Sequence, residues 1–218
     1  MKHTTLGALA TLTLASLSHG AVLITPISVV SDTDATDTYK ATVGLIDNAG
    51  LSGSADFANY TTITHSNTSN DSLGWVTADP APGGGDYFAD GPGNPVLTFD
   101  LGGEYTLTDF VYWGYSNGGT GNEAKDFTIE FSVGGGAYGN AVNFSQTTAL
   151  GAGTPETVNF SAINADSVRI TITDNYFGVG SGGDRVGLGE VKFVSVPEPS
   201  STALLGLAGI SLLARRRR

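Results

Sequence analysis

The chain has 218 residues, 31 of them glycine, no cysteine, and a formal net charge of −11. The lack of cysteine excludes disulfides, thiolate metal centres and cysteine nucleophiles. The acidic balance argues against nucleic acid and anionic lipid as partners, and the richness in Gly, Thr, Ser, Asn and Asp suits an all-β protein with many turns.

In chain order, Met1-Lys2-His3 leads into an apolar run from Leu6 to Leu17, then Ser18-His19-Gly20-Ala21. A short basic start, about a dozen apolar residues and small residues at −3 and −1 predict a secretory signal peptide over residues 1–20, cleaved after Gly20. Residues 21–196 then hold five basic residues, Lys40, Lys125, Arg169, Arg185 and Lys192, against twenty acidic ones, a balance of −15. Such a surface tolerates cations where carboxylates converge, and it also serves solubility.

Alternation at period two predicts the strands. Leu97, Phe99 and Leu101 alternate with Thr98 and Asp100. Phe127, Ile129, Phe131 and Val133 alternate with Asp126, Thr128, Glu130 and Ser132, giving one buried and one wet face. Val168, Ile170 and Ile172 alternate with Arg169, Thr171 and Thr173, and Val158 with Phe160 opens another strand. Phe110–Tyr115 is apolar on both faces, as a central strand would be. Gly134-Gly135-Gly136 fits a hairpin tip. No long helical period separates these segments, so the expected fold is a two-sheet antiparallel β-sandwich of jelly-roll type. It is flanked by a signal helix and a C-terminal apolar helix.

Catalytic chemistry finds little support. Beyond the signal, His65 is the only histidine, which excludes a histidine metal cluster. No nucleophile elbow accompanies it, and no acid pair is singled out by context. Gly178 to Gly183 matches G-x-G-x-x-G, but Asp184-Arg185 and a strand follow instead of a helix, so the match reads as a loop. Trp75 reads as core. Trp113, Tyr115, Tyr87, Phe88, Tyr176 and Phe177 lie in or beside Gly/Asn-rich loops, where an aromatic either stacks on a sugar or packs into the core.

The end of the chain carries Pro197-Glu198-Pro199, an apolar stretch over 202–214, and Arg215, Arg216, Arg217 and Arg218. The arginines stay on the cytoplasmic side of a membrane. A helix over 200–214 spans about 22 Å, short of a hydrocarbon core of roughly 30 Å. In this order the segments resemble the PEP-CTERM sorting signal, over residues 195–218. The resemblance implies recognition by an exosortase. It also implies membrane association through the C-terminal helix before processing, and a final place at the cell surface or in extracellular matrix.

Residues 28–194, within an expected domain over 21–194, also resemble a family. The blocks are Ala41–Asn48, Gly50–Gly53, Gly74-Trp75-Val76, Leu97–Gly102, Lys125–Ser132, Val168–Ile172 and Val186–Phe193. In this order they are similar to the discoidin, or coagulation-factor type C, domain of the galactose-binding-like jelly rolls. Two departures stand out: Asn48 replaces a frequent Gly, and the stretch Gly50–Ser72 is longer than usual. The resemblance implies glycan or extracellular polysaccharide as ligand. It further implies a structural calcium ion held by Asp47 and Glu190, with carbonyls of Asn48, Leu51, Ser52 and Gly189 completing the shell. The expected function is therefore that of a non-catalytic exported surface protein whose sandwich binds glycan or extracellular polymer. The alternatives are a structural matrix protein without a small ligand and, further off, a polysaccharide hydrolase.

Overall fold

The computed structural model describes residues 20–31, 38–66, 73–80 and 85–197; the expected signal peptide and nearly all of the sorting tail lie outside them. Among the described residues ten strands follow one another: β1 (Val22–Ile24), β2 (Ser28–Ser31), β3 (Thr38–Lys40), β4 (Trp75–Thr77), β5 (Val96–Trp113), β6 (Ala124–Ser132), β7 (Gly139–Ser145), β8 (Glu156–Asn175), β9 (Gly187–Leu188) and β10 (Glu190–Val196). Two 3₁₀ turns, Thr42–Leu45 and Tyr60–Thr62, are the only helical pieces among the described residues. None of those residues forms a helix long and apolar enough to cross a membrane.

The strands form two antiparallel sheets, as expected. The larger runs β1-β10-β5-β8-β6-β7, with β2 also pairing β5, and the smaller runs β3-β4-β9. The inward residues are those that alternation selected: Leu97, Phe99, Ile129, Val168, Ile170 and Ile172 are buried. Phe110 lies at the centre of an aromatic cluster, 5.6 Å from both Phe127 and Phe193 between ring centroids. Tyr112 meets Phe127 edge to face at 5.4 Å. Trp75 is fully buried. The first and last strands lie side by side, with Val22 opposite Ser195.

The sequence divides two long strands that the structure keeps whole. Leu97–Leu101 and Phe110–Tyr115 fall largely on the single strand β5, interrupted where its pairing with β8 shifts between Asp100 and Tyr105. Gly102 sits in that break with φ of 78°, a value a side chain resists, and lets the strand bulge. As a result the first half of β5 pairs β2, and the second half pairs β10. Val133 is a small correction: β6 ends at Ser132, and Val133 is exposed at the hairpin leading to β7.

The two-faced apolar character of the end of β5 also has a cause. Phe110 and Tyr112 face the main core, whereas Val111 and Trp113 face the other way. There they pack with Val194 of β10, and Leu51, Ala55, Tyr60 and Ile63 close over them. The indole of Trp113 donates to the Ile63 carbonyl at 2.8 Å. A segment rich in Ser, Thr and Asn is thus held down by a few apolar residues around one tryptophan.

Candidate functional site: a closed corner and an open rim

The corner lies where the loop after the first 3₁₀ turn, at Asp47–Asn48 and called the first loop below, meets β10. Alternation along β10 sends Val191 and Phe193 into the main core and Glu190 and Lys192 to the opposite face. That face is covered, and both charged side chains are fully buried. The Lys192 ammonium donates to Glu190 Oε1 at 3.2 Å, to Asn48 Oδ1 at 2.6 Å and to Thr25 Oγ1 at 2.9 Å. Its three donors therefore meet three acceptors. The Glu190 carboxylate also accepts the Asn48 backbone N–H, at 3.2 Å to Oε2. Burial pushes this carboxyl up to about 8, with the Lys192 ammonium offsetting only part of the rise.

Of the expected calcium ligands, Asp47, Asn48 and Glu190 do come together here, and Asp47 is close enough to act on Glu190 electrostatically. Asp47 itself is exposed, with Oδ1 accepting the Ala49 N–H at 2.8 Å. Leu51 forms a β-bridge with His65, and Ser52 pairs with Thr64 through its N–H and its hydroxyl. Gly189 donates to the Trp113 carbonyl at 2.9 Å. Among the described residues no three His, Cys, Asp or Glu side chains converge as a metal site. A divalent cation needs six to eight oxygens, and here the Glu190 and Asn48 oxygens already hold an ammonium. The arrangement does not fit calcium.

The rim is built by the loops after β5 and β8. Asn175, at the end of β8, is buried and holds the second loop from inside: its Nδ2 donates to the carbonyls of Gly183 (2.9 Å) and Arg185 (2.8 Å), and its Oδ1 accepts the Phe177 N–H (3.1 Å). Asn122 accepts the Gly183 N–H through Oδ1, and Gly121 donates to the Ser181 carbonyl at 3.0 Å. The two loops thus brace one another. Gly178-Val179-Gly180-Ser181-Gly182-Gly183 is this second loop, as its sequence context implied.

The six aromatic candidates separate sharply. Tyr87, Trp113, Tyr115 and Tyr176 are buried, and Phe88 is half-buried against the core. Tyr176 donates its hydroxyl to the Gln146 carbonyl at 2.8 Å. Tyr115 lies so close to Gly187 that a Cβ there would fall 2.6 Å from its ring. Burial raises the phenol pKa of Tyr87 and Tyr176, keeping both neutral. These four are core residues, the second of the two readings that their sequence context left open. Phe177 alone is exposed, at 48 %, with Val179 two residues on at 78 %. One side of Phe177 rests on Gly183, where a Cβ would come 2.5 Å from Cδ2. Gly183 has φ of 118°, so glycine is required there on both counts.

One buried acid went unnoticed in the sequence. Glu123 is fully buried, and its carboxylate accepts the N–H groups of Leu150 and Gly151, both at 2.7 Å. Burial pushes its pKa up to about 7. It ties the loop after β7 to the start of β6.

A family model for the F5/8 type C domain matches residues 58–183. The chain belongs to this family. The F5/8 type C domain here is followed by a PEP-CTERM protein-sorting motif, matched over residues 195–218. Solved structures share the fold at low identity. The lectin binding domain of lectinolysin, complexed with Lewis b, is 14% identical, with a TM-score of 0.50 over 78% of this chain and 92% of that one. CBM32-3 from a family 31 glycoside hydrolase of Clostridium perfringens is 16% identical, with a TM-score of 0.49 over 79% and 90%. The family 32 CBM from C. perfringens NanJ, in complex with galactose, is 14% identical, with a TM-score of 0.48 over 80% and 99%. No curated protein matches the chain. The chain thus joins an F5/8 type C domain to a protein-sorting motif.

Proposed function

We propose that this is a non-catalytic exported surface protein whose F5/8 type C domain binds extracellular glycan at the rim, with Phe177 as the stacking surface. The observation that carries the reading is the exposure of Phe177. Five aromatic candidates face inward, while this one is held up by a glycine and two asparagines with much of its surface in water. A preorganised aromatic flanked by Asn- and Gly-rich loops suits an apolar sugar face with hydroxyls around its edge. The glycans in the lectinolysin and NanJ complexes support the ligand class. The purified protein on a glycan array should retain a defined set of oligosaccharides. A blank array would favour a matrix protein that uses the domain only as structure.

The ends complete the proposal. The sorting motif supports export, passage through the membrane and processing by an exosortase. Surface material should therefore begin near Ala21 and lack Arg215 to Arg218 by intact mass. A mature chain that keeps the four arginines would reduce the tail to a plain membrane anchor.

A further inference from the structure

We propose that Lys192 serves as a built-in cation at the corner between the first loop and β10, so that the domain holds this corner without a divalent metal. The corner gathers the kind of oxygens a cation would seek: Glu190 Oε1, Asn48 Oδ1 and Thr25 Oγ1, with the Asp47 carboxylate nearby. The positive charge at its centre is the ammonium, buried with its three donors used.

Three features make the ammonium a replacement rather than a neighbour. First, it already holds Glu190 Oε1, the buried carboxylate oxygen that a metal at this corner would need. Second, it neutralises the fully buried Glu190, which would otherwise be an uncompensated charge inside the protein. Third, it joins two separate connections, at Thr25 between β1 and β2 and at Asn48 between β3 and β4, to the last strand. Segment 50–66 needs no help from a metal, because Trp113 and its apolar neighbours already anchor it. A covalently attached cation is present at any calcium concentration, whereas a bound ion stabilises only in proportion to its supply.

The test is thermal unfolding of the full chain in mild detergent, followed by tryptophan fluorescence. Trp75 and Trp113 are the only tryptophans, and both are buried in the domain. The parent midpoint should be the same in chelator and in 10 mM calcium, to within about 1 °C. Lys192→Met should melt about 10 °C lower in chelator, because Glu190 is left buried and unpaired. With the ammonium gone, 10 mM calcium should raise that variant by about 4–8 °C, the shift expected for a site of sub-millimolar affinity. The double variant Lys192→Met with Glu190→Gln removes both charges. It should recover part of the loss and show no calcium response, and it keeps the test decisive if the single variant fails to fold without metal. A calcium-dependent rise of several degrees in the parent would overturn the proposal. So would a folded Lys192→Met that ignores calcium, since the corner would then be no cation site at all.

Discussion

The corner and the rim are both made by loops at strand ends, yet they resolve their polar groups in opposite ways. At the corner, Lys192, Glu190, Asn48 and Thr25 satisfy one another, and the charges are sealed from water. At the rim, the buried Asn175 spends its hydrogen bonds on backbone, and the side chain it supports is left uncovered. Closed polar networks of the first kind fix a shape. An aromatic raised on a rigid frame is a surface prepared for something else, because its ordering is complete before a ligand arrives. In the proposed function the corner serves structure and the rim serves binding; the sequence offered charged residues for the first and aromatics for the second.

The largest expected effect tests whether the region beside the corner is held by packing. Trp113→Ala removes the centre of the cluster over Val111, Val194 and Ile63 and leaves the Ile63 carbonyl without its donor. It should cost about 3–5 kcal/mol in denaturant unfolding and open residues 50–66 to protease. A loss below about 1 kcal/mol would mean that this segment is held by something other than the tryptophan.

The next effect concerns the buried acid near the rim. Folded, Glu123 keeps its proton up to about pH 7, while the unfolded chain releases it near the ordinary value of 4.5. Between those values the unfolded state binds fewer protons, so stability falls as pH rises. The contribution is on the order of 3 kcal/mol across that window. Glu123→Gln should flatten about half of the slope. The remainder, of the same sign, belongs to Glu190, whose carboxyl burial also raises. Stability that climbs from pH 4.5 to 7 would show that neither acid is shifted upward.

These two regions also show how far the sequence could be read. Alternation located the inward faces of β5, β6 and β8 because a half-buried strand repeats every two residues, and burial follows that repeat. The same rule places Glu190 and Lys192 on the outer face of β10, which is true. What alternation misses is that the first loop covers this face. Only the spacing of opposite charges two residues apart in the last strand hinted at a pair. The aromatics failed for a related reason. Tyr115 and Tyr176 sit among turn residues that suggest a rim, but Gly187 and the Gln146 carbonyl, distant in sequence, close over them. Phe177 has the same local context and the opposite fate, decided by Gly183 beneath it and Asn175 behind it. Loop closure of this kind is a long-range property that no short window encodes.

The smallest stability effect carries the sharpest functional consequence. Phe177→Ala removes an exposed ring and should shift stability by no more than about 0.5 kcal/mol. Binding is the measurement that matters: titration of the parent and of Phe177→Ala with the oligosaccharide that the array selects. The account predicts at least a tenfold loss of affinity in the variant, about 1.4 kcal/mol or more, with an unchanged melting midpoint. Equal affinity in parent and variant would contradict it and remove the rim from the function of this domain.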